Sequence, residues 1–252
     1  MNLLEELVSV IPRGDIPVEE IRVGPFLTAV QTADVRESLD PPAPRCGLAS
    51  TLAQHEPATH YRLRDVGRLG TQTAEALARY ILSDFPLEAS LGMATLNAIL
   101  EVPAHCLEGK PFMEIIVERC RGNRVAVVGH FPFTDRLRRI SDKLYVLELR
   151  PIRGDLPASK APEILPTCQV VVISGTVLMN GTYQELLPLC SEAFSIMIGP
   201  STPASPVLFA QGIDMLAGTV VVDSERTLCE VSQGATYRDL GGVAKWVWEK
   251  AD

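Results

Sequence analysis

Three short runs in the second half of the chain constrain the fold more than any other feature. They are Arg124–Gly129 (RVAVVG), Gln169–Ser174 (QVVVIS) and Phe194–Ile198 (FSIMI). All three read as strands, and the first is apolar without alternation, the pattern of a strand covered on both faces. Leu144–Leu149 and a strand begun by Gly218, Thr219–Val222, add two more. Helical signals fall between the runs. Pro111 opens a helix that Gly122 ends, and a short helix is expected near Asp135–Ile140. Thr182-Tyr-Gln-Glu185 has capping-box spacing for a helix to about Glu192. Ser205-Pro206 supplies a capping hydroxyl and a first-turn proline for a helix to about Leu216. Pro151–Pro166 is a proline-rich connection with a helical turn or two at most. Strands alternating with helices predict a doubly wound α/β unit with a mostly parallel sheet of five to six strands.

The first hundred residues lack this rhythm. Ile21–Thr32 reads as a strand pair or bulged strand broken at Gly24-Pro25. Asp40–Pro44 is a rigid turn, Arg45–Leu52 a short strand and His55–His60 a loop. Two helices follow: Gln72–Leu82, capped by Thr71, and the apolar Leu87–Leu100. Strands followed by helices predict an α+β unit. The boundary falls between Val102 and Lys110, drawn here as 1–105 and 106–252.

Charge narrows the partners. Asp and Glu number 31 against 23 Lys and Arg, a net charge of −8, which argues against nucleic acid and anionic membrane. No run approaches the roughly 20 apolar residues of a spanning helix. Glu5 and Glu6 interrupt what would have to be an apolar signal segment. Six scattered cysteines without a CxxC read as reduced, buried thiols of a cytoplasmic protein. The expected partner is a small molecule, and a homo-oligomer is compatible with the reading.

Ligands of open parallel sheets bind outside the carboxyl ends of the strands. Those ends carry Gly129-His130-Phe131, Glu148, Gly175-Thr176 with Asn180 shortly after, and Gly199-Pro200-Ser201-Thr202. Glu148 lies 19 positions after Gly129, where a nucleotide-binding sheet puts its ribose carboxylate; the alternative is a solvated strand-end carboxylate. No GxGxxG loop is present, and the bulky residues after Gly129 oppose a pyrophosphate, which leaves a single-nucleoside ligand open. Asn180-Gly181 is a turn or a ligand-binding amide. Ser201 and Thr202 offer more hydroxyls than a helix cap requires. Metal spacing is absent: His105-Cys106 are adjacent, His55 and His60 sit five apart, and no HExxH occurs. His130, at a strand end, is the best single candidate for a polar, acid–base or ligating role.

Gly199-Pro-Ser-Thr-Pro-Ala-Ser-Pro-Val-Leu-Phe209, with Gly212, Asp214, Gly218 and Asp223, resembles the signature of the putative heavy-metal chelation domain family. Val128–Pro132, Gly175-Thr176 with Asn180–Thr182, and Gly92–Ala98 resemble further motifs of it. The resemblance implies an N-terminal domain similar to the enolase N-terminal domain and a Rossmann-like C-terminal domain, with a site in the cleft between them. It implies a protein that binds or handles a small molecule or metal chelate. A metal carried in a small organic chelate would need few protein ligands. Asn97, in the Gly92–Ala98 motif, joins the strand-end residues in the expected site. The alternative is an enzyme acting on a small metabolite, with or without a nucleoside part.

Overall fold

The computed structural model of the chain describes residues 2–12, 14–33, 45–52, 62–107 and 111–251. The Asp40–Pro44 turn and the His55–His60 loop lie outside the described residues. The N-terminal unit holds α1 (Leu3–Ser9), β1 (Val18–Val23), β2 (Leu27–Thr32), β3 (Arg45–Ser50), α2 (Ala74–Ala78) and α3 (Pro86–Ile99). Its three strands form an antiparallel sheet in sequence order. Pro86 occupies the first turn of α3, and every later residue of α3 to Ile99 is buried except Leu87 and Asn97. A helix apolar nearly all round must be packed on more than one side. It lies on β2 and β3 and reaches across to the second unit.

The C-terminal unit begins with α4 (Phe112–Cys120), β4 (Arg124–Val128), α5 (Thr134–Ile140), β5 (Lys143–Glu148), β6 (Leu156–Pro157) and α6 (Ala161–Ile164). It continues through β7 (Val170–Ser174), α7 (Thr176–Met179), α8 (Tyr183–Leu186), β8 (Phe194–Ile198) and α9 (Val207–Ala210). It ends with β9 (Met215–Val221), α10 (Ser224–Ser232) and β10 (Val243–Glu249). The seven-stranded sheet runs β10-β9-β8-β7-β4-β5-β6. All neighbours are parallel except β10, which pairs antiparallel with β9.

Period two sorts each central strand between two cores. Val125, Val127, Val170, Val172, Ile196 and Ile198 face the layer of α4 and α5. Ala126, Val128, Val171, Ile173 and Met197 face the other side, in one continuous core with α1, α2 and α3. The N-terminal unit is therefore part of the cover of the parallel sheet. This is why the apolar runs of β4 and β7 show no alternation.

Several local expectations are corrected. The sheet has seven strands rather than five or six: β6 spans two residues and cannot carry a periodic signal, and β10 is an antiparallel edge. Thr73 rather than Thr71 caps α2, accepting from the Ala76 N–H at 3.2 Å. The Thr182 capping box does not form. Asn180 Oδ1 instead accepts from the Thr182 N–H and hydroxyl at 3.1 and 2.7 Å, and the segment breaks into short helical turns. The helix after Ser205 is the single turn α9, and β9 starts at Met215, so Gly218 lies inside that strand. The Trp246 indole of β10 fills the space a Gly218 side chain would need.

Candidate functional site

The order of the parallel strands reverses between β4 and β7, so the connections leaving their carboxyl ends turn to opposite sides and open a crevice. A cavity of about 640 Å³ lies there. Its lining includes Gly129 after β4, Glu148 and Leu149 at the end of β5, and Ala158, Ser159, Ala161 and Pro162 after β6. Ser174, Thr176, Asn180, Thr182 and Glu185 follow β7 on the opposite wall, with Val177, Leu186 and Leu189 as apolar surface. This volume lies within the usual range of small-molecule pockets. Among the described residues lining it there is no lysine or arginine.

Gly129 permits the turn out of β4. Its φ is +108°, a region open to glycine, and a side chain there would meet the Ser174 Cβ at 3.1 Å. The Phe131 ring folds back over this turn, with Cε2 3.5 Å from the position a Gly129 Cβ would take. It stacks on Phe133 at 5.2 Å between centroids.

Glu148 is half-buried at the cavity wall, and among the described residues Oε2 accepts only from the Leu149 N–H, at 3.2 Å. Burial pushes its carboxyl above the usual carboxylate range; the Leu149 N–H pulls back, Asp155 pushes further up and His130 pulls down. On the far wall, Ser174 Oγ accepts from the Thr176 hydroxyl at 2.8 Å. The Asx turn at Asn180 occupies its Oδ1 and leaves its Nδ2 without a partner among the described residues.

The expected site residues part into three places. Gly129, Glu148, Thr176 and Asn180 share the cavity. His130 and Phe131 line an adjoining cleft of about 320 Å³ with Thr134, Asp135 and Arg238. His130 is exposed, and its Nδ1 lies 3.6 Å from Oδ2 of Asp155, whose side chain is 3% exposed. The remaining residues sit at the seam between the two units. Asn97 Nδ2 donates to the carbonyls of Leu48 and Pro200 at 2.7 and 2.9 Å. Ser201 Oγ accepts from the Ser50 N–H at 2.9 Å. Gly199, at φ +113°, turns the chain out of β8, and its carbonyl accepts from the Thr202 N–H. Gly175 packs so closely on this loop that a Cβ would lie 2.6 Å from Ser201 C and O. Thr202 is buried, lines a separate cavity of about 280 Å³ between the units, and its Oγ1 has no partner among the described residues. The carboxyl-edge cavity and the space between the units are thus two different places.

Asp155, Ser159, Thr182 and Glu185 complete the surroundings; the sequence marks Thr182 and Glu185 as a helix cap and Thr182 as part of a family motif, and does not mark Asp155 or Ser159. Asp155 and Ser159 flank β6, which is too short to advertise a strand end. Among the described residues, no group of three or more His, Cys, Asp and Glu side chains is arranged to hold a metal ion. His55 and His60 lie outside those residues.

Two family models match the chain, one over residues 5–100 and one over 112–248, and both are described as putative heavy-metal chelation. The chain belongs to the putative heavy-metal chelation family. An uncharacterized protein of Methanocaldococcus jannaschii is 31% identical over 168 residues, and the chain spans 64% of the length of that relative. A family member of unknown function from Desulfitobacterium hafniense has a crystal structure with a TM-score of 0.79 at 27% identity, covering 98% of this chain and 97% of that one. A second, from Pyrococcus horikoshii, also gives 0.79 at 19% identity, over 98% of both chains. The fold is therefore shared over nearly the whole length. No helix among the described residues is long and apolar enough to cross a membrane.

Proposed function

We propose that the protein binds a small organic molecule, free or carrying a chelated metal, in the cavity at the carboxyl ends of β4, β5 and β7. The observation that carries this is a carboxylate with an open acceptor side, Glu148, in the wall of a largely apolar cavity at the point where strand order reverses. A ligand holding its own metal would fit a wall that offers carboxylates, hydroxyls and an amide but no three-residue ligand cluster. Residues 106–252 act in this reading as a Rossmann-like binding domain, and residues 1–105 as an enolase N-terminal-like cover that holds the β8 loop. The reading places the protein in the cytoplasm, with a small molecule rather than nucleic acid as partner.

Native mass spectrometry with metal analysis on freshly purified protein tests it. Wild type retains an added small-molecule or metal-containing mass, and Ala158→Trp, which fills the cavity from its wall, does not. Equal retention by the two variants overturns the assignment.

One observation favours the alternative, an enzyme acting on a small metabolite. His130 lies beside the nearly buried carboxylate of Asp155, at the edge of the same strand ends, where general acid–base chemistry needs a positioned side chain. That reading requires the retained molecule to be chemically altered by wild type and unaltered by His130→Asn.

A further inference from the structure

The cavity has a polarity that selects among small molecules. Numbered within the sheet, the parallel strands β6-β5-β4-β7-β8-β9 run third, second, first, fourth, fifth, sixth. In sheets of this order the crevice beside the first strand receives a nucleotide, and an acidic residue at the end of the second strand accepts the ribose hydroxyls. Glu148 is the last residue of that second strand, β5, and lies beside the end of β4. Its single hydrogen bond leaves most acceptor positions of the carboxylate open.

The phosphate half of such a site is missing. A pyrophosphate needs bare backbone at the turn after the first strand, and here the Phe131 ring covers that turn. The wall facing Glu148 contributes a second carboxylate, Glu185, and no cationic side chain among the described lining residues offsets the two. A phosphate entering the cavity would meet two like charges in a half-buried space. The apolar surface of Leu149, Ala158, Pro162 and Leu186 suits a flat heterocycle.

We propose that the cavity takes a single ribonucleoside whose 5′ end is uncharged or cationic, with Glu148 accepting the 2′ and 3′ hydroxyls. The inference rests on the reading of this cavity as the ligand site and narrows its ligand class. It accounts for a feature that dinucleotide sites lack, a ribose carboxylate next to an aromatic ring instead of a glycine-rich turn.

The test is calorimetric titration of the full chain with adenosine, guanosine, cytidine and uridine, their 2′-deoxy forms and their 5′-monophosphates. The expected result is saturable binding of at least one ribonucleoside. Its 2′-deoxy form is then about 10-fold weaker or worse, the loss typical of a hydrogen bond to a charged group. The monophosphate is weaker than the nucleoside. Glu148→Gln removes the preference for ribose over deoxyribose. No saturation by any ribonucleoside at 1 mM, equal ribose and deoxyribose affinities, or tighter binding of the monophosphate overturns the proposal. Amide-shift mapping with citrate and pyridine-2-carboxylate, free and as nickel complexes, separates the two levels. Shifts at Thr176, Asn180 and Thr182 with these probes but not with nucleosides overturn the nucleoside class and leave the cavity reading intact. No shift with either set overturns both.

Discussion

Two glutamates set the N-terminal unit and the carboxyl edge of the parallel sheet side by side. Glu88, in the first turn of α3, has a side chain 4% exposed. It accepts from the Arg64 N–H at 2.9 Å and from Arg64 Nε at 2.8 Å, and Arg64 Nη2 lies 2.7 Å away. Burial pulls this carboxyl upward, but the Arg64 and Ser83 hydrogen bonds outweigh it and hold Glu88 below the usual range. Glu148 is less buried, has one backbone donor and lies above that range, because burial acts there without a cationic partner in contact. A carboxylate whose acceptor sites are filled by its own chain holds the fold. One left open in a cavity wall is a place for something else. Asn97 and Ser201 at the seam are engaged, whereas Glu148 and the Asn180 Nδ2 in the cavity are open; the Thr202 hydroxyl is the exception at the seam, buried and without a partner among the described residues.

Substitutions can break or sharpen this contrast. The largest effect is expected at Gly175→Ala, where the added methyl must displace the backbone of the Ser201 loop. Overpacking of this kind costs about 3 kcal/mol, a fall of roughly 6–12 °C in Tm for a chain of this size, read by thermal denaturation. Asn97→Ala and Ser201→Ala each remove a partner from buried backbone groups and should cost about 1–2 kcal/mol, measured in urea. Losses below the error of the measurement at both would show that the seam is not held by these bonds.

The two glutamates should respond to pH in opposite senses. With its folded pKa depressed, Glu88 stabilises wild type over Glu88→Gln above the ordinary carboxylate pKa. That advantage disappears as pH falls through the depressed folded value. With its folded pKa raised, Glu148 makes wild type less stable than Glu148→Gln once pH rises through the window between the ordinary and the raised value. Below the ordinary value the two proteins converge. Paired Tm–pH curves check both signs, and Tm of Glu148→Gln at pH 7 should equal or exceed that of wild type. The smallest effect concerns thiols: burial pushes Cys46, Cys120 and Cys190 up to about 12, and only Cys229 is exposed. One fast-reacting thiol per folded chain is expected, abolished by Cys229→Ser.

The sequence carried the central strands because burial on both faces writes itself as unbroken apolar runs, and it carried α3 for the same reason. It did not carry β6, whose two residues offer no period, or the edge strand β10. The site was partly legible. Strand ends placed Gly129, Glu148, Thr176 and Asn180 on one edge, and they do share a cavity. The same rule placed Ser201 and Thr202 with them, but a strand end does not say which way the following loop turns. The loop after β8 turns toward Ser50 and Asn97, partners more than a hundred residues away in sequence. Asp155 was illegible because its proximity to His130 depends on the path of the β5–β6 connection.

The central claim is that open polar groups at the carboxyl edge receive the ligand while engaged ones at the seam hold the fold. The most direct measurement is the ligand-induced rise in Tm, across ribonucleosides and small nickel chelates, for wild type, Glu148→Gln and Ser201→Ala. The account predicts that Ser201→Ala starts from a lower Tm and keeps the full ligand-induced rise, whereas Glu148→Gln starts at or above wild type and loses it. A rise intact in Glu148→Gln and lost in Ser201→Ala would contradict the account and move the ligand to the cavity between the units, beside the unpartnered hydroxyl of Thr202.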